Sequence, residues 1–167
     1  MLLTNSVTSG LCRAIGDLVR QEWEHRSKLL PKRYDGARTV RMFTVGMAIG
    51  AGLHFYYYNL DKILPRSDLK IVIFKIACDQ VFAAPITLLS TFYGLGILEG
   101  KSIQECNVEV RKKFLYVYLG DCLYWPPVQF VNFCFIPAHY RVAYINITTV
   151  IFNIFVSYMK HYDQRGP

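Results

Sequence analysis

Four stretches of the chain carry no Asp, Glu, Lys or Arg for nearly the length a bilayer requires: residues 42–60, 80–98, 122–140 and 142–159. A hydrocarbon core about 30 Å thick asks for roughly 20 helical residues at about 1.5 Å each. One such run fits a buried helix of a soluble domain, but four in 167 residues point to a membrane. The third run is not a simple crossing. Pro126 and Pro127 lack backbone donors and crowd the turn before them, and Pro137 interrupts the chain again soon after. The pattern predicts a break at the proline pair and a short helix or re-entrant elbow from Trp125 to Ile136, with Gln129 and Asn132 facing protein rather than lipid.

A fourth span is then found in the N-terminal segment. Leu3, Val7, Leu11, Ala14 and Leu18 share one helical face there, and Ser6, Gly10, Arg13 and Asp17 share the other. Arg13 and Asp17 stand four apart and are placed to pair; a helix lying along the membrane surface is the competing expectation for this segment. Ser102 and Glu105 form a capping-box pattern that opens an amphipathic surface helix reaching Tyr118. The fold expected is an all-α, multi-pass transmembrane helical bundle over residues 1–167. It has about four spans, near 3–20, 42–60, 76–98 and 142–160, plus the proline-bounded elbow and the surface helix.

The spans have small or polar faces. Gly46 and Gly50 make a G-x-x-x-G pair, with His54 one turn on. Asp79, Ala83, Thr87, Ser90 and Gly94 follow helical spacing, as do Asn146, Thr149, Asn153 and Ser157. Lipid tails reward none of these groups, so such faces turn inward. Helix packing is the first explanation. The sharper one is a polar seam for water or solutes, for which Asp79, Thr87, Ser90, Asn146, Thr149 and Asn153 are the candidate lining residues.

Charge adds orientation more than chemistry. The net charge is +7, from 19 basic and 12 acidic residues. With four spans both termini share one side, and the more basic connections, residues 20–41 and 101–113, lie on the other; the positive-inside rule puts that richer side in the matrix or cytosol. Asp17, Asp79, Asp121 and Arg141 sit beside apolar stretches and need partners or an interface. The five cysteines include no C-x-x-C pair, the histidines are scattered, and no P-loop, G-x-S-x-G or H-E-x-x-H occurs. An enzyme is not expected, nor is a cofactor or a metal.

The run Trp125-Pro126-Pro127-Val128-Gln129-Phe130-Val131-Asn132-Phe133, followed by Pro137 and Arg141, resembles the signature of the Mpv-seventeen family of mitochondrial and peroxisomal membrane proteins. Further marks of that family follow in order: Gly16, Asp17 and Gln21; Asp35, Arg38, Thr39 and Arg41; Gly50 and His54; Lys75, Asp79, Gln80 and Pro85. Leu98-Glu99-Gly100 and the run from Arg141 to Asn146 are most similar to the like-protein-two branch. The chain departs from the family where Ala51 replaces a usual proline, and where Tyr56, Cys122 and Phe152 replace usual tryptophans. The resemblance implies a four-span protein of the mitochondrial inner membrane, or alternatively of the peroxisomal membrane. For this branch it implies support of mitochondrial ribosome assembly and translation, and for other members a weakly selective pore. The partners expected are the lipid bilayer, a second copy of the chain and, as the resemblance implies, mitochondrial ribosomal subunits.

Overall fold

In the computed structural model, residues 2–27, 33–64, 68–136 and 141–160 are described, and among them every regular element is a helix. Helix α1 covers Leu2–Arg26 and α2 covers Gly36–Ile63. Helix α3, Leu69–Cys78, runs through a π-helical turn, Asp79–Ala83, into α4, Ala84–Leu98. Helix α5 is Ile103–Cys134 and α6 is Arg141–Lys160.

Local chemistry explains the helix ends. The Asp35 side chain accepts from the Arg38 N–H and caps α2. Ser102 and Glu105 complete the expected capping box at the start of α5. Between α4 and α5 the chain turns at Gly100, whose φ of 77° suits a residue without Cβ. There the Lys101 N–H reaches Gly96 O and the Gly100 N–H reaches Ile97 O, which satisfies the last carbonyls of α4.

The expected elbow is not formed. Helix α5 continues through Pro126 and Pro127 to Cys134, so the surface helix from Ser102 and the segment after Trp125 are one element. The two prolines are adjacent, so the donors they lack are missed by neighbouring carbonyls of a single turn. That turn is braced by a hydrogen bond from Trp125 to the Asp121 side chain and by Tyr124, which donates to Thr148 O at 2.8 Å and stacks on Phe152. Prolines inside a helix are tolerated where neighbours supply such support. Pro137 lies outside the described residues.

Packing closes the helices into a ring: α1 meets α2 and α6, α2 meets α4, α4 meets α5, and α5 meets α6. Register fixes their directions. Cys12 lies against Asn146 and Asp17 against Ser157, so α1 and α6 run the same way. The ends of the bundle therefore separate Leu2 from Lys160, and the expectation that both termini share a side is corrected. The fault lay in omitting α5 from the count of long antiparallel helices.

The ring is polar inward and apolar outward. Asp17 and Gln21 are 0% exposed, while Leu3, Leu11, Leu18 and Trp23 of the same helix face out. Leu123 of α5 is 77% exposed, and Ile86, Ile97 and Ile151 also point away from the bundle. Van der Waals clusters complete the interior: Leu88, Phe92, Val117, Phe152 and Val156 in one, and Met42, Val45, Ile49 and Leu95 in the other. By length and hydropathy alone, one described helix, Leu69–Leu98, is long and apolar enough to cross a membrane, and Tyr144–Met159 is a shorter apolar helix.

The connection from α1 to α2 is clamped by charge. Glu22 accepts from Arg26 and Arg33 Nε and from Tyr34 OH, each at 2.8 Å. These bonds, Arg33 first, hold its carboxyl near about 2, below the usual carboxylate range. A depressed folded pKa stabilises above the unfolded value and is lost as pH falls through the folded one. Thermal stability in detergent should therefore drop between about pH 4.5 and about pH 2. Glu22→Gln should remove that part of the slope, and an unchanged pH profile in the variant would disprove the clamp.

Candidate functional site

Inside the ring lies a cavity of about 250 Å³ with walls from every helix. The π-helical turn shapes one wall. Pro85 has no N–H to give the carbonyl four residues back, and the turn widens until the Ala84 N–H bonds Asp79 O. In the wider turn the consecutive residues Asp79 and Gln80 both line the cavity. Tyr118 OH donates to Gln80 O at 2.9 Å, which ties the opened turn to α5. Tyr57 OH of α2 donates to Asp79 Oδ2 at 3.1 Å.

The opposite wall brings Arg13 of α1 toward Asp121 of α5, close enough for mutual attraction. This corrects the expected pairing of Arg13 with Asp17, because α1 turns the two side chains to different neighbours. Gln129 of α5 with Thr149 and Asn153 of α6 complete the polar lining, and Trp125, Leu88, Phe152 and Val156 supply apolar walls. Several buried polar atoms here have no hydrogen-bond partner: Arg13 Nη1, Gln80 Oε1, Asp121 Oδ2 and Asn153 Nδ2. Donors and acceptors that face a cavity unmet are the groups a polar occupant satisfies.

A second polar cluster joins α1, α2 and α6. Arg38 Nε donates to Asp17 Oδ1 at 2.7 Å, Arg38 Nη1 to Glu24 Oε2 at 3.1 Å and Arg38 Nη2 to Ser157 Oγ at 2.8 Å. Ser157 Oγ and Gln21 Nε2 each donate to Asp17 at 2.7 Å, and Thr39 Oγ1 does so at 3.1 Å. Arg20 pairs with Glu24 at 3.1 Å and lies 4.2 Å over Trp23. Two cations and two carboxylates thus form a buried, charge-balanced latch.

The residues singled out in the sequence fall mostly into these two places. Asp17, Gln21 and Arg38 build the latch, and Gly16 brings α1 against the backbone of Asn153. Gly50 meets α1 at Ser6 and Ser9, and His54 Nδ1 lies 3.0 Å from Asn5 Nδ2. Asp79, Gln80, Trp125, Gln129, Thr87, Thr149 and Asn153 line the cavity. Asn132 is buried on α5 with its Oδ1 unpartnered, and Pro126 lies within the helix. Phe133 belongs to α5 and Arg141 opens α6; their side chains lie outside the described set. Two expected lining residues are elsewhere. Ser90 is exposed, because its helix turns Leu88 and Thr91 inward instead, and Asn146 meets α1 through its backbone oxygen. Arg13 and Asp121 are cavity residues that spacing alone did not bring together.

Comparison with known proteins agrees with the resemblance. The family model of the Mpv17/PMP22 family matches residues 96–157. The chain is 35% identical over 158 residues to PXMP2/4 family protein 4 of Dictyostelium discoideum, covering 94% of this chain and 85% of that protein. The chain belongs to the Mpv17/PMP22 family. It is also similar to Mpv17-like protein of Xenopus laevis, 31% identical with 96% and 77% coverage. To the mitochondrial inner membrane protein Mpv17 of Danio rerio it is 30% identical, with 91% and 85% coverage. No solved structure matches the chain. The mitochondrial inner membrane expected from the sequence is the location these relatives support, with the peroxisomal members of the family as the alternative.

Proposed function

We propose that the protein is a non-enzymatic membrane pathway for small polar solutes in the mitochondrial inner membrane. One observation carries this reading: a ring of helices surrounds a cavity bearing unmet donors and acceptors. Two carboxylates, Asp79 and Asp121, against one guanidinium, Arg13, favour cations in the cavity. Purified protein in a planar bilayer should conduct with a modest cation preference. Asp79→Asn or Asp121→Asn should move the reversal potential toward the anion side. A silent bilayer with correctly folded protein would sink the proposal.

The same reading sets the topology. Helices α1, α2, α3–α4 and α6 are the expected spans, and we infer that α5 crosses beside them. From Phe114 to Cys134 it offers roughly the 20 residues a crossing needs, with a single charge, Asp121, turned inward. Tags at the two termini should be accessible from opposite sides of the membrane. Labelling of both from one side would return the count to four.

Support of mitochondrial ribosome assembly is the second reading, favoured by the exposed Arg111 and Lys112 on α5. Much of the basic charge near them is engaged within the chain: Arg38 by Asp17 and Glu24, Arg33 by Glu22, Lys101 and Lys113 by Glu109. Co-sedimentation with mitochondrial ribosomal subunits at low salt, lost at high salt, would favour it; a protein that stays at the top of the gradient in low salt would remove it.

A further inference from the structure

Beside the cavity, on the outer side of α2 and α4, lies an apolar groove of about 390 Å³. Its open rim includes Gly52 and Ile86, both exposed, and a Cβ built on Gly52 meets nothing within 4 Å. Ile49, Leu53, Ala83 and Thr87 line both the groove and the polar cavity, so the two are neighbours with these four residues between them. Ala83 is the last residue of the π-helical turn, so the shared wall includes the widened part of the helix.

A polar chamber that shares four wall residues with an apolar groove on the outer side of the bundle matches a molecule with the same two parts, joined where those side chains turn aside. The chamber presents donors, Arg13 Nη1 and Asn153 Nδ2, together with acceptors, Gln80 Oε1 and Asp121 Oδ2. A head carrying a phosphate and an ammonium would satisfy both kinds at once. The groove is bounded by one pair of helices, which is room for one chain. We infer that cavity and groove together form a single site for a single-chain zwitterionic lipid drawn from the bilayer, head in the cavity and chain in the groove. The inference rests on the reading of the cavity as a chamber for polar ligands, and it names the ligand class.

Gly52→Leu is the discriminating variant, since Gly52 lines the groove and not the cavity, an added Cβ there meets nothing within 4 Å, and leucine is a better helix former in α2. Binding is measured on the purified full chain by native mass spectrometry. The probes are lysophosphatidylethanolamine, its chainless counterpart glycerophosphoethanolamine, and a diacyl phosphatidylethanolamine. The lysolipid should be retained one to one. Gly52→Leu should weaken it about tenfold, as overfilling a packed site does, while the melting temperature and the conductance stay those of the parent. Equal retention of the lysolipid by the variant would overturn the inference, as would equal retention of the diacyl lipid. A dimer that Gly52→Leu abolishes would assign the groove to a second copy and overturn it too. If the chainless head binds as tightly as the lysolipid and conductance persists, the lipid site falls and the solute pathway stands. A silent bilayer with lysolipid binding that Gly52→Leu weakens would give the reverse outcome.

Discussion

Replacing Asp17 by alanine should destabilise the folded protein by about 3–5 kcal/mol, the cost of leaving a buried charge without its partner. The carboxylate accepts from Arg38, Ser157, Gln21 and Thr39, and none of its surface is exposed. Stabilities of folded domains lie at about 5–15 kcal/mol, so the variant would sit near the threshold of folding. The loss should appear as a large fall in melting temperature in detergent. The charge balance makes a sharper test. Asp17→Ala leaves Arg20 and Arg38 facing Glu24 alone, whereas Asp17→Ala with Arg38→Met leaves the neutral Arg20–Glu24 pair at 3.1 Å. The double variant should therefore be more stable than Asp17→Ala alone. If the two substitutions simply add, the latch is not a coupled unit and its charges act through separate contacts.

Much of this arrangement was legible before any coordinates. The polar face of the N-terminal helix, the inward small residues of α2 and the capping box at Ser102 follow from periodicity and short-range hydrogen bonding, and the structure contains each. Asp79, Thr149 and Asn153 reach the cavity because helical spacing alone decides which way they turn. The misread elements share a different cause. Whether Pro126 and Pro127 end α5 depends on partners distant in sequence, Thr148 and Phe152 of α6 against Tyr124, and local rules about proline do not contain them. Arg13 was assigned to Asp17 by proximity along one helix. The ring instead sets Asp121 of α5 across the cavity from Arg13, and Asp17 against Arg38, so the pairing changes with the topology. The π-helical turn did leave a sequence signal, Pro85 a turn and a half after Asp79, and it went unread because the surrounding run otherwise fits an ordinary helix. Ser90 misses the cavity by one position: Thr87, a turn earlier, lines it, while Ser90 lies exposed along the neighbouring groove between α2 and α4.

Gly46→Leu should be as damaging as any change to the latch, for a reason unrelated to charge. Helices α1 and α2 touch through their backbones. A Cβ on Gly46 would lie 2.8 Å from the Gly10 Cα, and one on Gly50 would lie 2.9 Å from Asn5 O and 3.0 Å from the Ser6 Cα. Backbone atoms cannot rotate aside as a side chain can, so the helices must separate. Overpacking typically costs about 1–3 kcal/mol where neighbours can yield, and a rigid neighbour places Gly46→Leu at or beyond the top of that range. Separation would also pull Asp17 away from Arg38 and Thr39, since the latch lies further along the same pair of helices. Association in a bilayer has no hydrophobic drive to compensate, because lipid tails are as apolar as leucine, and close packing is what holds such helices together. Gly52→Leu on the same helix provides the control: it adds the same side chain where nothing lies within 4 Å. In detergent, Gly46→Leu should melt well below the parent and be cleaved by protease within α1, while Gly52→Leu should melt at or slightly above it. Equal melting of the two variants would mean that the α1–α2 contact does not hold the bundle together.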